Sequence, residues 1–279
     1  MFGPNQIATY NGEYFTHRDA EFKAILRDLQ QLFCEKFNLI DHVVLFVTGP
    51  GTLANEIVVN SCLWGMEAHY DGKFGKRLSN QIKERNIKHT RLVKSYVYYE
   101  TSTSTLNQRP FGAIIFSDMI SAFPYYLPDT IDIWTTVSCK QLGAMPVIGI
   151  IVIAKTMLNC FYEKSHYSIL DLHNYLAYSK KDETPTTAAI PLYLDLLERL
   201  DAFHLATFRS KINHRRAMLE RIIPRRYRVG SGPVFTIRNE FLAEDIIKKY
   251  SLYKGDGVHQ IFLWSGTDKQ YEDFIKDLK

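Results

Sequence analysis

The chain alternates between stretches whose apolar residues recur every three or four positions and short runs that are almost entirely apolar. Residues 19–37 follow the first pattern and predict an amphipathic helix. The short apolar runs are typical of strands that are buried on both faces of a sheet. By this pattern, strands are predicted at residues 42–47, 95–99, 111–116, 131–137 and 147–153.

Predicted helices follow some of these strands, at about residues 53–64 and, after the motif at residues 71–77, from there to about residue 85. Alternation of strands and helices indicates a mostly parallel sheet with helices on both faces. In such sheets the carboxyl ends of the strands form the ligand crevice. We therefore expect the polar residues at these ends to converge, namely Thr48, Glu100, Asp118 and Ser138.

The predicted fold class is α/β, with a change of pattern towards the C-terminus. Residues 1–187 are predicted to form a large domain that begins with an arm at residues 1–18, and residues 188–223 a long connecting helical region that Pro224 ends. Short strands and helices in residues 224–279 predict a small α+β domain. Its last helix has a capping-box pattern, with Thr267 followed three positions later by Gln270.

A glycine-containing turn joins the first predicted strand to a helix and reads Thr48-Gly-Pro-Gly-Thr52. Backbone amides at the start of a helix, together with the positive end of the helix dipole, bind phosphate groups well. A plain tight turn explains this stretch about equally well, so the turn indicates a phosphate site only in combination with other features.

Lys140 stands between two predicted core strands, residues 131–137 and 147–153. Lysine is rarely buried, so a lysine at this place calls for a chemical reason. In a poorly solvated site a lysine loses its proton more readily and becomes a nucleophile, as Schiff-base chemistry with pyridoxal phosphate requires. The alternative is a side chain that extends out to solvent from a strand end.

The composition is that of an ordinary globular protein, with 46% hydrophobic and 23% charged residues and a net charge of +4. This mild charge does not favour nucleic-acid binding, and a solvated helix face accounts for the basic residues between 209 and 228. The four cysteines form no CxxC pair, so we expect neither a disulfide framework nor a metal site. With no signal-peptide pattern and no run long enough to span a membrane, we expect a cytoplasmic protein.

Taken together and in order, the motifs resemble those of class V, fold-type I aminotransferases that depend on pyridoxal 5'-phosphate (PLP), and in particular the 2-aminoethylphosphonate and alanine:glyoxylate transaminases. The matching stretches cover nearly the whole chain. They are His17-Arg-Asp-Ala-Glu-Phe22, Thr48-Gly-Pro-Gly-Thr52, Asp71-Gly-Lys-Phe-Gly-Lys-Arg77, Glu100-Thr-Ser-Thr103, Asp118-Met-Ile-Ser-Ala122, Ser138-Cys-Lys140 with the Gln-Leu-Gly that follows, and Thr184-Pro-Thr-Thr187.

The resemblance implies a role for each matching residue. Lys140 would carry the cofactor as an aldimine and then move protons as the catalytic base, and Asp118 would keep the pyridine nitrogen protonated. Phe74 would stack on the ring. Thr187 would reach the cofactor phosphate from the partner subunit, which implies a homodimer with shared active sites. The remaining cofactor-binding residues implied are Gly51, Thr52, Thr101, Ile120 and Cys139.

One departure from the family concerns the substrate. The family places an arginine in a C-terminal strand to hold the substrate carboxylate, whereas residues 259–266 contain none. The candidates for a compensating arginine are Arg18 and Arg77; if the alignment slips here, Arg228 or Arg238 fills the role from a neighbouring strand. The sequence thus predicts an aminotransferase that takes an amino group from a small aminophosphonate- or amino-acid-like amine to an oxo acid or aldehyde. A PLP-dependent lyase or decarboxylase, or a dimer without turnover, are the alternatives.

Overall fold

The computed structural model describes residues 18–85, 89–161, 168–186 and 188–279. His17 and Thr187, which belong to two of the matching motifs, lie outside these ranges. Among the described residues no helix is both long and apolar enough to cross a membrane.

A six-stranded sheet forms the centre of the first part of the chain. Its strands, numbered in chain order, are β1 His42–Thr48, β2 Gly65–His69, β3 Leu92–Val97, β6 Ile115–Asp118, β7 Ile133–Val137 and β8 Ile148–Ala154. They lie in the order β1-β8-β7-β6-β3-β2. The pairs between β2, β3, β6 and β7 are parallel, and β8 runs antiparallel to both of its neighbours. The predicted mostly parallel sheet is confirmed.

Both faces of this sheet are covered, because successive residues of a strand point to opposite sides and both sides here are apolar. In β8, Ile150 and Val152 pack into one buried cluster and Ile151 and Ile153 into another. The helices of the first part of the chain are α1 Ala20–Phe37, α2 Gly51–Ser61, α3 Gly72–Arg85 and α4 Leu172–Ser179. A short hairpin, β4 Tyr99–Glu100 and β5 Thr105–Leu106, extends from β3.

A second, antiparallel sheet follows two helices, α5 Ile190–Asp201 and α6 Leu205–Ile222. Its strands lie in the order β11-β12-β10-β9. Their bounds are β9 Arg228–Val229, β10 Val234–Arg238, β11 Tyr253–Lys254 and β12 Val258–Phe262. The helices of this part of the chain are α7 Glu244–Tyr250 and α8 Asp268–Asp277. The fully buried Arg215 of α6 donates hydrogen bonds to the carbonyls of Leu263 and Ser265, at 2.8 and 2.9 Å, and to the Asp268 carboxylate. It thereby joins α6 to the end of β12 and the start of α8.

Several predicted boundaries shift. The strand predicted at residues 111–116 begins only at Ile115, because pairing with β3 starts there, and Phe111 is 99% exposed. The region predicted as one helical stretch at residues 188–223 divides into α5 and α6 where His204 takes an extended conformation. Helix α2 starts at Gly51, two residues earlier than predicted. The capping box of α8 is confirmed, with Thr267 and Gln270 each accepting a hydrogen bond from the other's backbone N–H.

The segment after β8 also differs from its prediction. A helix is expected from residue 155 to 162, and the structure has a 3₁₀ helix at Lys155–Cys160. The next helix, predicted from residue 168, begins at Leu172 because the Asp171 side chain caps it by accepting from the His173 N–H at 2.9 Å.

Candidate active site

The carboxyl ends of the parallel strands face a cavity of about 330 Å³. Strand β6 ends in Asp118, and the hairpin turn between β7 and β8 carries Lys140 to the same edge because β8 reverses there. Every described residue that the sequence implicates in cofactor binding lines this one cavity: Gly51, Thr52, Phe74, Thr101, Asp118, Ile120, Cys139 and Lys140. Of the four polar strand-end residues that were expected to converge, Asp118 lines the cavity, whereas Thr48, Glu100 and Ser138 are not among its lining residues.

Asp118 is buried, and each oxygen of its carboxylate accepts a hydrogen bond. Oδ1 accepts from the Ile120 N–H at 2.9 Å and Oδ2 from Asn55 Nδ2 at 2.7 Å. Burial raises the pKa of Asp118, and these two hydrogen bonds oppose the rise. Because a carboxylate oxygen has two lone pairs, Asp118 keeps capacity to accept one more donor from the cavity.

Sequence reasoning missed Asn55. It lies on α2, and its side-chain oxygen accepts from the Thr135 hydroxyl of β7 while its nitrogen donates to Asp118. The chain from Thr135 through Asn55 fixes the orientation of the Asp118 carboxylate. The signal in the sequence was an asparagine amid the apolar residues of a helix, in the stretch Leu53-Ala-Asn-Glu-Ile-Val58.

Lys140 is half-buried and points into the cavity. Its Nζ donates to Ser121 Oγ at 2.7 Å, and that oxygen also accepts from the Thr101 hydroxyl at 2.6 Å. Burial lowers the pKa of Lys140, and the nearby Asp118 carboxylate opposes the shift. Nζ lies 5.7 Å from the centre of the Phe74 ring. A lysine amine whose pKa is lowered is a better nucleophile and base near neutral pH.

The turn that carries Lys140 is held firmly to its surroundings. Ser138 donates its hydroxyl to the Met145 carbonyl at 2.6 Å and its N–H to Ile148 at 2.9 Å. Gln141, which is buried, donates to the Ser121 carbonyl at 2.6 Å and accepts from the Tyr125 N–H at 2.8 Å. Gln141 therefore fixes the distance between the lysine turn and the segment that supplies Ser121.

Helix α3 presents Phe74 to the cavity because a buried carboxylate holds its N-terminus. Glu100 Oε2 accepts from the N–H groups of Phe74 and Gly75 at 3.1 and 3.0 Å. Gly72 has a φ of 73°, and a Cβ there would lie 2.4 Å from the Glu100 side chain, so the approach requires glycine. Negative charge at the start of a helix is stabilising, so Glu100 sets the position of Phe74 without entering the cavity.

The N-terminus of α2 forms the other end of the cavity. Its first turn holds no acidic residue, and no side chain caps it. A Cβ on Gly51 would lie 2.5 Å from Ile120 Cδ1, so glycine is needed for Ile120 to pack there. Arg77 Nη1 donates to Thr52 Oγ1 at 3.3 Å. A helix N-terminus that has a hydroxyl and a guanidinium beside it suits a phosphate group.

The sequence offers four candidates to replace the carboxylate-binding arginine that is absent from residues 259–266. Arg77 alone of these lines the cavity, among the residues that the structure describes. Arg228 donates to the main-chain carbonyls of Ile223, at 2.6 Å, and Glu220. Arg18 and Arg238 are exposed and lie elsewhere. The guanidinium of Arg77 thus lies beside Thr52, at the N-terminus of α2.

The sequence matches no protein-family model and no curated protein. The fold is similar to that of solved aminotransferases. An aspartate aminotransferase of subgroup IV from Thermus thermophilus is 19% identical with a TM-score of 0.80, over 100% of this chain and 99% of that one. An alanine–glyoxylate aminotransferase from Nostoc sp. is 19% identical with a TM-score of 0.74, over 96% and 89%. A PLP-bound phosphoserine aminotransferase from Trichomonas vaginalis is 13% identical with a TM-score of 0.74, over 95% and 90%.

These identities are low, so the likeness concerns the fold. The chain has the fold-type I architecture of these aminotransferases over almost its whole length. The fold predicted from the ordered motifs is confirmed.

Proposed function

We propose that this chain is a PLP-dependent aminotransferase that takes an amino group from a small primary amine and passes it to an oxo acid or aldehyde. The observation that carries the proposal is the pairing of two groups in one cavity. Lys140, an amine with a lowered pKa, and Asp118, a buried carboxylate, line the same cavity at the strand ends. The low-identity structural neighbours support it, since each is named as an aminotransferase.

The cavity fits PLP group by group. The N-terminus of α2, with Gly51, Thr52 and Arg77, would hold the phosphate. Phe74 would cover one face of the ring, and the remaining lone pairs of Asp118 would accept from the pyridine nitrogen. Buried Cys139, whose thiol pKa is raised by burial, would add an uncharged group to the lining of the same cavity. When bound, PLP supplies an electron sink for the electron pair left by deprotonation of the substrate.

The residues of the chain account for the rest of the chemistry. Because its pKa is lowered, Lys140 Nζ would be available as a neutral amine to hold the cofactor through its aldehyde group. As a free amine, the same nitrogen would serve as the base that takes a proton from the substrate carbon and returns it at a neighbouring carbon. The Ser121 and Thr101 hydroxyls would orient Nζ during this transfer. Nζ donates to Ser121 Oγ, and the Thr101 hydroxyl donates to the same oxygen.

The first test is the attachment of the cofactor. We expect protein loaded with PLP to show a visible absorbance band, and borohydride to fix the cofactor to the peptide that contains Lys140. The control variant is Lys155→Gln, which should keep both the band and the label, because Lys155 donates to the Ile40 carbonyl away from the cavity. A label on another lysine, or no band in loaded protein, would refute the assignment.

The second test concerns the reaction. A panel of primary amines is added to the loaded protein, and the conversion of bound cofactor to its pyridoxamine form is followed. Subsequent addition of 2-oxo acids or aldehydes should restore the starting spectrum. Release of carbon dioxide, or of a cleaved fragment, without conversion to the pyridoxamine form would indicate a lyase or decarboxylase instead.

A further inference from the structure

A second cavity, of about 510 Å³, opens beside the first. The two share Phe74, Thr101 and Lys140 as lining residues, so Lys140 stands at their boundary. The far wall of the second cavity comes from the C-terminal sheet, from strand β11 and the turn that follows it. A molecule whose amine reaches Lys140 therefore has room to extend into this second cavity.

The second cavity carries a net positive charge. Lys73, at the start of α3, and Lys254, on β11, face it from opposite walls, and Asp256 is the one acidic residue among its lining residues. Within the described residues, neither lysine forms an ion pair with a carboxylate. Two ammonium groups against one carboxylate leave an unbalanced positive charge at the cavity.

The polar residues between these lysines also favour an anion. Thr103 is among the lining residues, and its hydroxyl oxygen is buried without a hydrogen-bond partner among the described residues. Its hydroxyl therefore has an unused hydrogen-bond donor close to the cavity wall. Gln260, the polar residue of β12 at this wall, already donates its amide nitrogen to the Thr101 carbonyl at 2.5 Å and to Ser104 Oγ at 3.2 Å. Gln260 thus braces the wall, and the cationic contacts come from the two lysines.

We propose that the second cavity binds an anionic group of the amine substrate, held between Lys73 and Lys254. This inference rests on the proposed function and specifies its substrate class: a primary amine whose anionic group is separated from the reacting carbon by a short chain. The separation follows from the position of Lys140, because a carbon that reacts beside its Nζ would lie at the boundary of the two cavities, and Lys73 and Lys254 line the second one. An ammonium is a point charge without the planar fork of arginine, so the site suits tetrahedral as well as planar oxyanions.

The test compares amines that differ only in the distal group. Butylamine, 4-aminobutyrate and 3-aminopropylphosphonate are each mixed with PLP-loaded protein, and the second-order rate constant for conversion of the bound cofactor is measured. We expect the two anionic amines to react on the order of tenfold faster than butylamine, with an advantage that falls as salt increases. The ratio between carboxylate and phosphonate then identifies which oxyanion the site favours.

Variants locate the site. Lys73→Gln and Lys254→Gln should each slow the anionic amines by on the order of fivefold and leave butylamine unchanged. The matched controls are Lys76→Gln, an exposed lysine of the same helix α3, and Lys248→Gln, an exposed lysine of α7 near the same sheet. Neither control should alter the preference for anionic amines.

A measurement without turnover keeps the two proposals separate. Calorimetric titration of the loaded protein with butyrate and with butylphosphonate should show binding that Lys254→Gln weakens. If butylamine converts the cofactor as fast as the anionic amines, and neither anion binds, the anion site is wrong while the aminotransferase proposal stands. If no amine converts the cofactor but the anions bind in a lysine-dependent way, the anion site stands and the proposed reaction fails.

Discussion

The carboxylate of Asp118 accepts structural hydrogen bonds and would also hold a ring nitrogen protonated. Its two oxygens accept from different donors, Ile120 N–H and Asn55 Nδ2. In Asp118→Asn one of these donors loses its acceptor, and the charge that would hold a ring nitrogen protonated is removed. We expect cofactor conversion to slow by about 100-fold or more, with a loss of stability of about 1–3 kcal/mol. Single-turnover spectra and thermal unfolding measure the two effects, and near-normal conversion would reduce Asp118 to a strand-end residue.

The lowered pKa of Lys140 gives a pH prediction. Since burial favours the uncharged amine, the neutral nucleophile is present at lower pH than for an ordinary lysine of pKa about 10.4. Reactivity should rise with pH and level off below that value. Competitive acetylation of the cofactor-free protein, mapped by mass spectrometry, should give Lys140 a lower midpoint than the exposed lysines. An equal or higher midpoint contradicts the prediction.

The absent arginine gives a prediction about substrates. No arginine fork faces the cavity from the strand β12, and Arg77 lies beside Thr52 at the opposite end. A carboxylate on the reacting carbon would thus lose hydration without a bidentate partner. We expect alanine to convert the bound cofactor more slowly than amines whose reacting carbon bears no carboxylate. Single-turnover assays decide this, and alanine being the fastest amine would show the inference to be wrong.

At the scale of the element, helix α3 depends on a residue outside it. Glu100 accepts from two N–H groups of its first turn, so Glu100→Gln should keep the shape but remove the charge. The expected loss of stability is about 1 kcal/mol. Cofactor should bind more weakly, because Phe74 is in that turn, while the visible band remains. Thermal unfolding and fluorescence titration test this, with exposed Glu84→Gln on the same helix as the control. Unchanged cofactor affinity would show that the contact with Glu100 does not position Phe74 for cofactor binding.

The elements also show which features were readable in the sequence. The strands β1, β7 and β8 were predicted because a strand buried on both faces must be apolar throughout, as Ile150 and Ile151 are. Asp118 and Lys140 were readable because they end or interrupt such runs. Asn55 was not, and Glu100 was recognised only as a strand-end residue, since their roles depend on contacts with residues 63 and 25 positions away. Chain order alone could not reveal those contacts.

At the scale of the whole molecule, the resemblance implies a homodimer in which Thr187 contributes to the partner's site. We propose this assembly, although Thr187 lies outside the described residues. The protein should sediment as a dimer at about micromolar concentration, and bound cofactor should tighten the dimer through linkage. Thr187→Ala should weaken both dimer and cofactor binding together. A cofactor-saturated monomer would contradict the shared site.

The hairpin of β7 and β8 joins Lys140 to two central strands that are buried at all but one position, whereas Lys254 lies on a two-residue strand at the edge of the other sheet. Buried central strands usually open only when the whole protein unfolds, and exposed edges open locally. Amide hydrogens of Ile133–Val137 and Ile148–Ala154 should therefore exchange with solvent much more slowly than those of Tyr253–Lys254. The side of the site that carries Lys140 would then keep its structure for as long as the protein is folded. The side that carries Lys254 would open and close many times in the same period, so it could adjust to different amines.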